Sequence, residues 1–514
     1  MNRYWKNTGL YWQALGGNNI DQISGHCYQY TEIIYDKKAR LHQTTIIVDV
    51  GKFDNYQALE VADASAAVPD IRNLLGREFV TAEAVFLTHS HPDHLNGIPH
   101  YLKAGYRFPT LYGGKYTQMI LQDLYEQFNI PKAMQPKYVV INDGDKIKID
   151  TLEVEVVASS HTCFDSFGFI IKSFFSTVYH TGDMKIDGST YFRKPTNIKR
   201  IRELAPQIDC VVADFYGICD DGFAVKEVDT FKKLVSLIKK SNRKKIFLPV
   251  YPTHPEMYII AFLAALKVKK NVVFFGNPDF YSYLKRIIDY GISFSRLAGK
   301  RIKVIYTHDK KEIAELDDNY AVIGTYNHVS LAFDANSKDS YGIITAKTFF
   351  NPLKGQFNSH NIQFETVDTY PELQGFGHGF LGDYEYLNAQ LCNPLFIPTH
   401  CPIFVIDNFR ELAAYIGMRL IETTPCNNQV FRLDGKECSL VEQNPSLWLA
   451  VSYNAGYAYF TETKQIPTSG EGMLKRTISN RRCKNRFKVF LHVRKKQKGR
   501  QDEKSNQGIF NQKL

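Results

Sequence analysis

The stretch Phe86–Gly97, FLTHSHPDHLNG, places four metal-ligating side chains just after a short apolar strand. His89 and His91 can direct two imidazoles at one metal ion, and Asp93 and His94 can turn toward a second ion nearby. Imidazole and carboxylate ligands without thiolate suit Zn²⁺ or Mn²⁺ in a hydrolytic site that keeps a position open for water. The alternative is a polar loop that holds histidines by accident. It is disfavoured because the chain has only 15 His in 514 residues.

The chain shows two styles of secondary-structure pattern. About the first 200 residues read as short β-branched runs separated by turns, such as Thr44–Val50 (TTIIVDV), which is typical of strands. From about Cys210 strand-like runs alternate with helical patterns, and near residue 366 the first style returns. This alternation predicts a parallel sheet covered on both faces, so we expect one α/β domain inserted into another. The inserted region is predicted to contain helices Val225–Lys240 and Met257–Val268 and strands Lys245–Val250 and Asn271–Phe275.

Composition excludes a fibre and a mostly disordered chain, since 44% of residues are hydrophobic and 23% are charged. At roughly 150 residues per domain, the length corresponds to about three domains. The longest apolar run, Met257–Leu266, is about half as long as a bilayer span requires. The first residues lack the apolar core of a secretory signal. Nine cysteines without a C-x-x-C pair indicate reduced thiols. We therefore expect a cytoplasmic protein with no membrane partner.

Later residues extend the first motif in a recognisable order. The H-x-H-x-D-H pattern resembles the signature of the metallo-β-lactamase fold. Asp49, after the strand TTIIV, stands where that fold keeps an aspartate behind the metal ligands. His161 in SSHTCFDS matches its next metal ligand, and Asp183 in VYHTGDMKID matches the carboxylate that bridges two metal ions.

The resemblance extends to ribonuclease J, a family of β-CASP nucleases. The runs HTGDMKID and H-x-x-x-D-S, the early LGG at Leu15–Gly17 and PDI at Pro69–Ile71 all fit that family. Its three additional motifs correspond here to Asp214 in VVADFYG, His378 in FGHGFLGDYEYL and His400 in LFIPTHCP.

The resemblance implies an α/β fold: a metallo-β-lactamase αββα sandwich, an inserted β-CASP domain and a basic C-terminal tail. The expected boundaries are 1–204 for the first part of the sandwich, 205–365 for the insert, 366–440 for the returning segment and 441–514 for a C-terminal extension.

The same resemblance implies two divalent metal ions, with Zn²⁺ expected and Mn²⁺ or Mg²⁺ as alternatives. Asp183 would bridge them, and His378, oriented by Asp214, would give a proton to the leaving oxygen. The catalytic residues would thus be His378, Asp214 and Asp183. The metal ligands would be His89, His91 and His161 for one ion and Asp93, His94 and His400 for the other, with Asp183 shared.

The predicted function is that of a zinc-dependent hydrolase, a ribonuclease that cuts RNA from an end or internally for processing or decay. One alternative is a hydrolase of a small ester, thioester or lactam on the same fold, but such an enzyme needs no insert of about 160 residues. The other is a non-catalytic RNA-binding relative, which has no physical reason to keep seven metal ligands. DNA is an alternative substrate, and a homodimer and a homotetramer both stay open.

Two departures from the ribonuclease J pattern concern the binding of RNA ends. Phe376 stands where the family usually has Ser, and Cys401-Pro402 replaces the usual Gly-Glu. These departures predict a weak preference for 5′-monophosphorylated RNA.

The net charge of +10 resides in the last 40 residues, which contain 14 Lys and Arg against two Asp and Glu. We expect this tail to be disordered or weakly helical. Its basic side chains could neutralise RNA phosphates, and Phe487 and Phe490 could stack on bases. A solvated tail without a specific role is the alternative. The candidate RNA contacts are Arg481, Arg482, Lys484, Arg486, Lys495 and Lys496.

Overall fold

The architecture seen in a computed structural model has two stacked β-sheets with helices on their outer faces, a third sheet beside them and a small three-stranded sheet. This confirms the predicted α/β fold. The structure describes residues 7–18, 24–53, 65–76, 81–192, 194–241, 244–251, 253–333, 339–345, 350–375, 377–443, 447–454, 457–464, 484–492 and 494–495.

The sandwich consists of an eight-stranded and a seven-stranded sheet, counted over the described residues. Their facing side chains form one apolar core, in which Trp12 of the first sheet and Phe169 and Val212 of the second are buried. The first sheet contains, in spatial order, Glu437–Gln443, Gln429–Asp434, Gly9–Gly16, Cys27–Tyr35, Leu41–Val48, Ala84–Phe86, Thr110–Gly113 and Tyr138–Val140. The second contains Arg419–Leu420, Leu395–Thr399, Cys210–Asp214, Thr177–His180, Phe167–Lys172, Leu152–Ala158 and Lys146–Ile149.

Helices cover the outer face of each sandwich sheet, which completes the αββα order of layers. On the first sheet Leu95, Tyr101 and Leu121 pack against strand residues such as Val85. None of the helices in the described residues combines the length and apolar character needed to cross a membrane. The covering helices are Pro92–Leu95, Ile98–Lys103 and Lys115–Gln127 on the first sheet, and Ile198–Leu204, Leu381–Gln390 and Ile403–Tyr415 on the second.

The strand Cys210–Asp214 corrects the predicted start of the inserted domain at residue 205. It pairs in parallel with Thr177–His180 and Leu395–Thr399, so it is a central strand of the sandwich. Cys210 and Val212 face the sandwich core, whereas Val211 and Ala213 face the outer helices. Because both faces are buried, the strand is apolar throughout and has the same pattern as a strand of a parallel insert.

The third sheet lies between these sandwich strands in sequence, and its elements span residues 227–365, which we call the insert. All of its strand pairs are parallel, and buried side chains cover both faces, as predicted. Its strands, in spatial order, are Val304–Thr307, Asn271–Phe275, Tyr320–Thr325, Ile246–Val250, Tyr341–Ile343 and Gln363–Glu365. Its helices include Glu227–Lys240, Pro255–Lys267, Pro278–Tyr290, Phe294–Ala298, Lys310–Glu315, Tyr326–Val329 and Phe350–Ser359.

The segment predicted as a separate C-terminal extension from residue 441 is part of the sandwich. The strand Glu437–Gln443 runs across that boundary and pairs with Gln429–Asp434. A hairpin of Leu447–Asn454 and Tyr457–Lys464 then pairs with Ala66–Pro69. Leu449 and Val451 of this hairpin are buried in the apolar layer outside the first sheet.

Part of the basic tail is an ordered helix over residues 484–492 and 494–495, which we call the tail helix. Phe487 is 2% exposed and its ring lies 5.3 Å from the ring of Phe409, so it is not free to stack on a base as predicted. Arg486 pairs with Asp220 at 2.8 Å.

The other candidate RNA contacts differ in their surroundings. Lys495 lies 3.7 Å from Glu411, and Lys484 is exposed. Arg481, Arg482 and Lys496 lie outside the described residues. Two of the six predicted contacts, Arg486 and Lys495, therefore already face acidic side chains of the same chain.

Replacement of Phe487 by Ala tests the docking of the tail helix. Truncating a buried Phe costs about 3–5 kcal/mol in a well-packed core, so the tail helix should detach more often from the sandwich. We expect trypsin to cleave Phe487→Ala after Lys484 and Arg486 at least tenfold faster than the wild type, with little change in the melting temperature. Val489→Ala is the control, because Val489 is 58% exposed on the same helix. Equal cleavage of all three proteins would contradict a docked helix.

Candidate metal centre

The candidate site forms where several strands of the sandwich end at one rim. Leu41–Val48 and Ala84–Phe86 run parallel, as do Thr177–His180, Cys210–Asp214 and Leu395–Thr399. The carboxyl ends of parallel strands meet at the same edge of a sheet, so the polar residues that follow them converge. The residues brought together in this way are Asp49, the 89–94 turn, Asp183, Asp214 and His400.

Three histidines form the first cluster, as predicted for one ion. His89, His91 and His161 each place a ring nitrogen within 4.8 Å of the others. The Nδ1 of His91 lies 3.0 Å from the Nε2 of His161. An array of three imidazoles is a ligand set that Zn²⁺ accepts.

The carboxylate of Asp183 lies between this cluster and a second one. Its Oδ2 is 3.6 Å from the Nε2 of His161 and 3.3 Å from the Nε2 of His94. Its Oδ1 is 3.2 Å from the Nδ1 of His400. Asp183 therefore has the position of a shared ligand, with one set of imidazoles on each side.

Asp93 lies at the edge of the second cluster. Its Oδ2 is 3.8 Å from the Nε2 of His94, and its side chain is 20% exposed. Asp93 is thus close enough to contribute a ligand, but it is more accessible to water than His94 or His400.

His26 is a member of the second cluster that the sequence analysis missed. One ligand atom from each of His26, His94, Asp183 and His400 lies within 4.8 Å of the others. No metal-ligand motif surrounds His26 in the sequence GHCYQY. It reaches the site because Cys27–Tyr35 runs antiparallel to Leu41–Val48, which brings its start to the same rim.

Unpartnered buried nitrogens support metal binding by these residues. The Nε2 atoms of His26 and His89 are buried and have no hydrogen-bond partner among the described residues. A buried polar atom without a partner is costly. A cation at each cluster would satisfy these nitrogens, so the residues present fit a pair of divalent ions.

Hydrogen bonds fix the orientation of the candidate ligands. The Nδ1 of His94 lies 2.7 Å from Asp49 Oδ2, which confirms the expected neighbourhood of Asp49. The Nδ1 of His161 lies 2.9 Å from the Gly377 carbonyl oxygen. The Nε2 of His91 lies 3.3 Å from the carbonyl oxygen of Thr253, a residue of the insert. Such partners orient metal ligands and raise their basicity.

His378 and Asp214 form a pair beside the clusters. The Nδ1 of His378 lies 2.7 Å from Asp214 Oδ2 and 3.8 Å from Asp183 Oδ2. The ring of Tyr216 lies 4.6 Å from that of His378 and 5.0 Å from that of His400. Asp183, Asp214, His378 and His400 also lie close enough together to hold an ion.

The two clusters differ in protonation. In the first, burial lowers the pKa of His91 to about 4 and the pKa of His89 and of His161 well below the ordinary value of 6.5. In the second, burial would lower the pKa of His400, but the carboxylate of Asp183 outweighs burial and raises it to about 10. The pKa of His94 is raised for the same reason.

The charge of Asp183 completes this pattern. Burial would raise the pKa of Asp183, but His94, His400 and His378 outweigh burial and hold it well below its usual range. Without metal, the second cluster therefore contains a carboxylate between two imidazolium ions, whereas the first contains neutral imidazoles.

A cavity of about 630 Å³ opens beside His91, between the sandwich and the insert. Thr253, Asn277 and Thr325 line its far side; each follows or ends a strand of the insert's parallel sheet. Ligands of parallel α/β sheets bind at such carboxyl ends. Ser90, Cys163, Tyr283, Arg286 and His328 are among the other lining residues.

The difference in protonation predicts different pH dependences for the two clusters. A His400→Ala variant keeps the first cluster, whose neutral imidazoles have no proton to lose near pH 7. A His91→Ala variant keeps the second, where His94 and His400 must each lose a proton before they bind a cation. The affinity of the second cluster for Zn²⁺ should therefore rise with pH up to about 10. The affinity of the first cluster for Zn²⁺ should stay constant above pH ~6.

Titration calorimetry with Zn²⁺ in two buffers of different protonation enthalpy measures this proton release. We expect at least one proton more to be released by His91→Ala than by His400→Ala at pH 7. Equal release by the two variants would contradict the assignment of charges.

Comparison with known proteins agrees with the fold. A profile described as Beta-lactamase superfamily domain matches residues 61–231. A protein of unknown function from Enterococcus faecalis has a similar crystal structure, with a TM-score of 0.58 and 18% identity. The match covers 84% of this chain and 100% of that one, and at this identity it supports the fold alone.

Among curated proteins, the chain is similar to bacterial ribonuclease J. It is 25% identical to the Mycobacterium tuberculosis protein over 239 residues and 26% identical to the Thermus thermophilus protein over 252 residues. These matches cover 46% and 47% of this chain but only 39% and 41% of those proteins.

A longer match, to ribonuclease J of Mycoplasma genitalium, has 19% identity and covers 84% of this chain and 74% of that protein. The chain therefore contains a metallo-β-lactamase domain and is similar, at modest identity, to bacterial ribonuclease J.

Proposed function

We propose that this chain is a metal-dependent ribonuclease that hydrolyses phosphodiester bonds in RNA. The observation that carries the proposal is the position of Asp183 between two groups of imidazoles, with His378 and Asp214 beside it and a large cavity adjoining. The names of the curated relatives support RNA as the substrate.

Two divalent ions fit the residues of the centre. One ion would be held by His89, His91 and His161, and the other by His94, His400 and Asp93. Asp183 would bind both ions. Bound there, the ions would supply an acidified water and neutralise phosphate charge. The nitrogen-rich ligand set favours Zn²⁺ over Mg²⁺, which prefers oxygen ligands.

His378 is suited to protonate the leaving oxygen. Its Nδ1 faces Asp214 at 2.7 Å, so the carboxylate fixes this nitrogen as the one that carries a proton. When the ring is doubly protonated, the other nitrogen, Nε2, can donate to the oxygen that leaves the phosphorus. Asp214 then stabilises the imidazolium before transfer, and His378 returns to the neutral form after it.

The surroundings of the centre suit a nucleotide chain. Tyr216 is 45% exposed next to His378 and His400, so its ring offers a face on which a base could stack. The cavity at the insert has polar lining residues that could bind phosphate and sugar oxygens. A small-molecule hydrolase on this fold would not need the surface that the insert supplies.

Degradation of RNA labelled at either end, with and without chelator, tests the proposal. We expect chelator-sensitive cleavage by the wild type, and loss of cleavage in Asp183→Ala, since this change removes the carboxylate next to both clusters. Cys163→Ala is the control, because Cys163 is buried beside the cavity but is not in the clusters.

The pattern of products distinguishes cleavage from an end from internal cleavage of the RNA. Mononucleotides indicate cleavage from an end, and internal fragments indicate endonuclease activity. Use of 5′-monophosphate and 5′-hydroxyl RNA tests the expected weak preference, and a tenfold faster reaction with monophosphate would contradict it. No cleavage of RNA together with hydrolysis of a lactone, thioester or β-lactam would overturn the proposal.

The role of His378 is tested separately from metal binding. His378→Ala should lower the single-turnover cleavage rate by ~10²–10⁴-fold, as expected for removal of a general acid. The metal content should stay at the wild-type level, because His378 is not among the proposed ligands. Loss of metal in this variant, measured by elemental analysis, would show that His378 is a ligand instead.

A further inference from the structure

His26 occupies the second cluster in the manner of a ligand. It is 1% exposed. Its ring stacks on that of His94 at a centroid distance of 4.1 Å and meets that of His400 edge-on at 4.1 Å. Its Nε2 lies 3.6 Å from Asp93 Oδ2. The free nitrogen of His26 thus points to the place where the side chains of His94, Asp183 and His400 also converge.

A hydrogen bond engages one of the two ring nitrogens of His26. The Tyr28 hydroxyl oxygen lies 2.8 Å from the Nδ1 of His26. When Nδ1 carries the proton of the neutral ring, it donates to this oxygen.

In this tautomer the lone pair of neutral His26 is on Nε2. That atom is buried and has no hydrogen-bond partner among the described residues. The same arrangement, with one ring nitrogen held by a hydrogen bond and the other free, is usual for histidines that bind metal ions.

The backbone around His26 is built to hold the ring in place. Gly17 has a φ of +88°, and a Cβ at this position would lie 2.4 Å from the Nδ1 of His26 and 2.6 Å from the Tyr28 hydroxyl oxygen. Only glycine leaves room for the pair, which gives the second glycine of the LGG motif a role at this site.

We propose that His26 is a ligand of the second metal ion, so that this ion is held by His26, His94, His400 and the shared Asp183. The inference rests on the metal centre of the proposed function and adds a ligand to it. Three imidazoles and one carboxylate make a four-ligand set, which favours Zn²⁺ over Mg²⁺ or Mn²⁺. Asp93, at the exposed edge, then becomes an additional ligand rather than a required one.

Metal binding to purified full-length protein tests this assignment without any assay of RNA cleavage. The Zn²⁺ content is measured by elemental analysis after dialysis, and affinity is measured by competition with a chromophoric chelator. We expect two ions in the wild type. In His26→Ala, one ion should bind with wild-type affinity and the other at least tenfold more weakly.

His100→Ala is the matched control. His100 is also buried and its Nδ1 is also hydrogen bonded to a tyrosine, Tyr453, at 2.5 Å, but it lies outside the clusters. The His100→Ala variant should bind two ions, as the wild type does. Thermal unfolding of each variant shows whether the fold is kept.

Two further variants make the test independent of the folding of His26→Ala. Tyr28→Phe removes the hydrogen-bond partner of the His26 Nδ1. It should lower the affinity for the second ion by about 10–100-fold. His26→Asp restores a ligand and should bring back two ions, with a preference shifted toward Mn²⁺.

The proposal is overturned if the wild type binds fewer than two ions. It is also overturned if His26→Ala and Tyr28→Phe both bind two ions with wild-type affinity. A wild type that binds two ions and cleaves no RNA would contradict the proposed function and leave the role of His26 intact. The two failures are therefore distinguishable.

Discussion

The buried carboxylate of Asp183 is the constraint on which the site depends. In the described part of the chain it has ring nitrogens of five histidines within 4 Å: His89, His94, His161, His378 and His400. A buried charge is very costly unless opposite charges or a metal compensate it. The strands that end at this rim must therefore bring their histidines together, and the core behind them fixes how closely they can do so.

The insert takes part in this arrangement although none of its described residues belongs to the clusters. The Thr253 carbonyl reaches His91, and the cavity beside His91 has walls from both the sandwich and the insert. The orientation of one candidate ligand thus depends on how the insert sits on the sandwich. Substrate entering between the two would contact the same elements that align the first cluster.

Local patterns in the sequence predicted the α/β fold and the metal-ligating turn at 89–94, and the resemblance to a known family added His161 and Asp183, because all of these residues stand in short motifs after strands. His26 could not be found in this way, since only the antiparallel pairing of Cys27–Tyr35 brings it to the rim. The strand Cys210–Asp214 was assigned to the insert because burial of both faces gives sandwich and insert strands the same pattern. The docking of Phe487 was missed because one apolar face in a strongly basic segment gives a weak signal.

The pairing of Gly9–Gly16 with Gln429–Asp434 joins residues more than 400 positions apart. Contacts of such long range form late, because the chain between them must first be ordered. The parallel sheet of the insert needs only its own neighbouring segments and can form while the sandwich is still open. During synthesis, His400 and the strand Gln429–Asp434 leave the ribosome after the other cluster residues and the whole insert. The second cluster therefore stays incomplete in a nascent chain until His400 and the strand Gln429–Asp434 have been made.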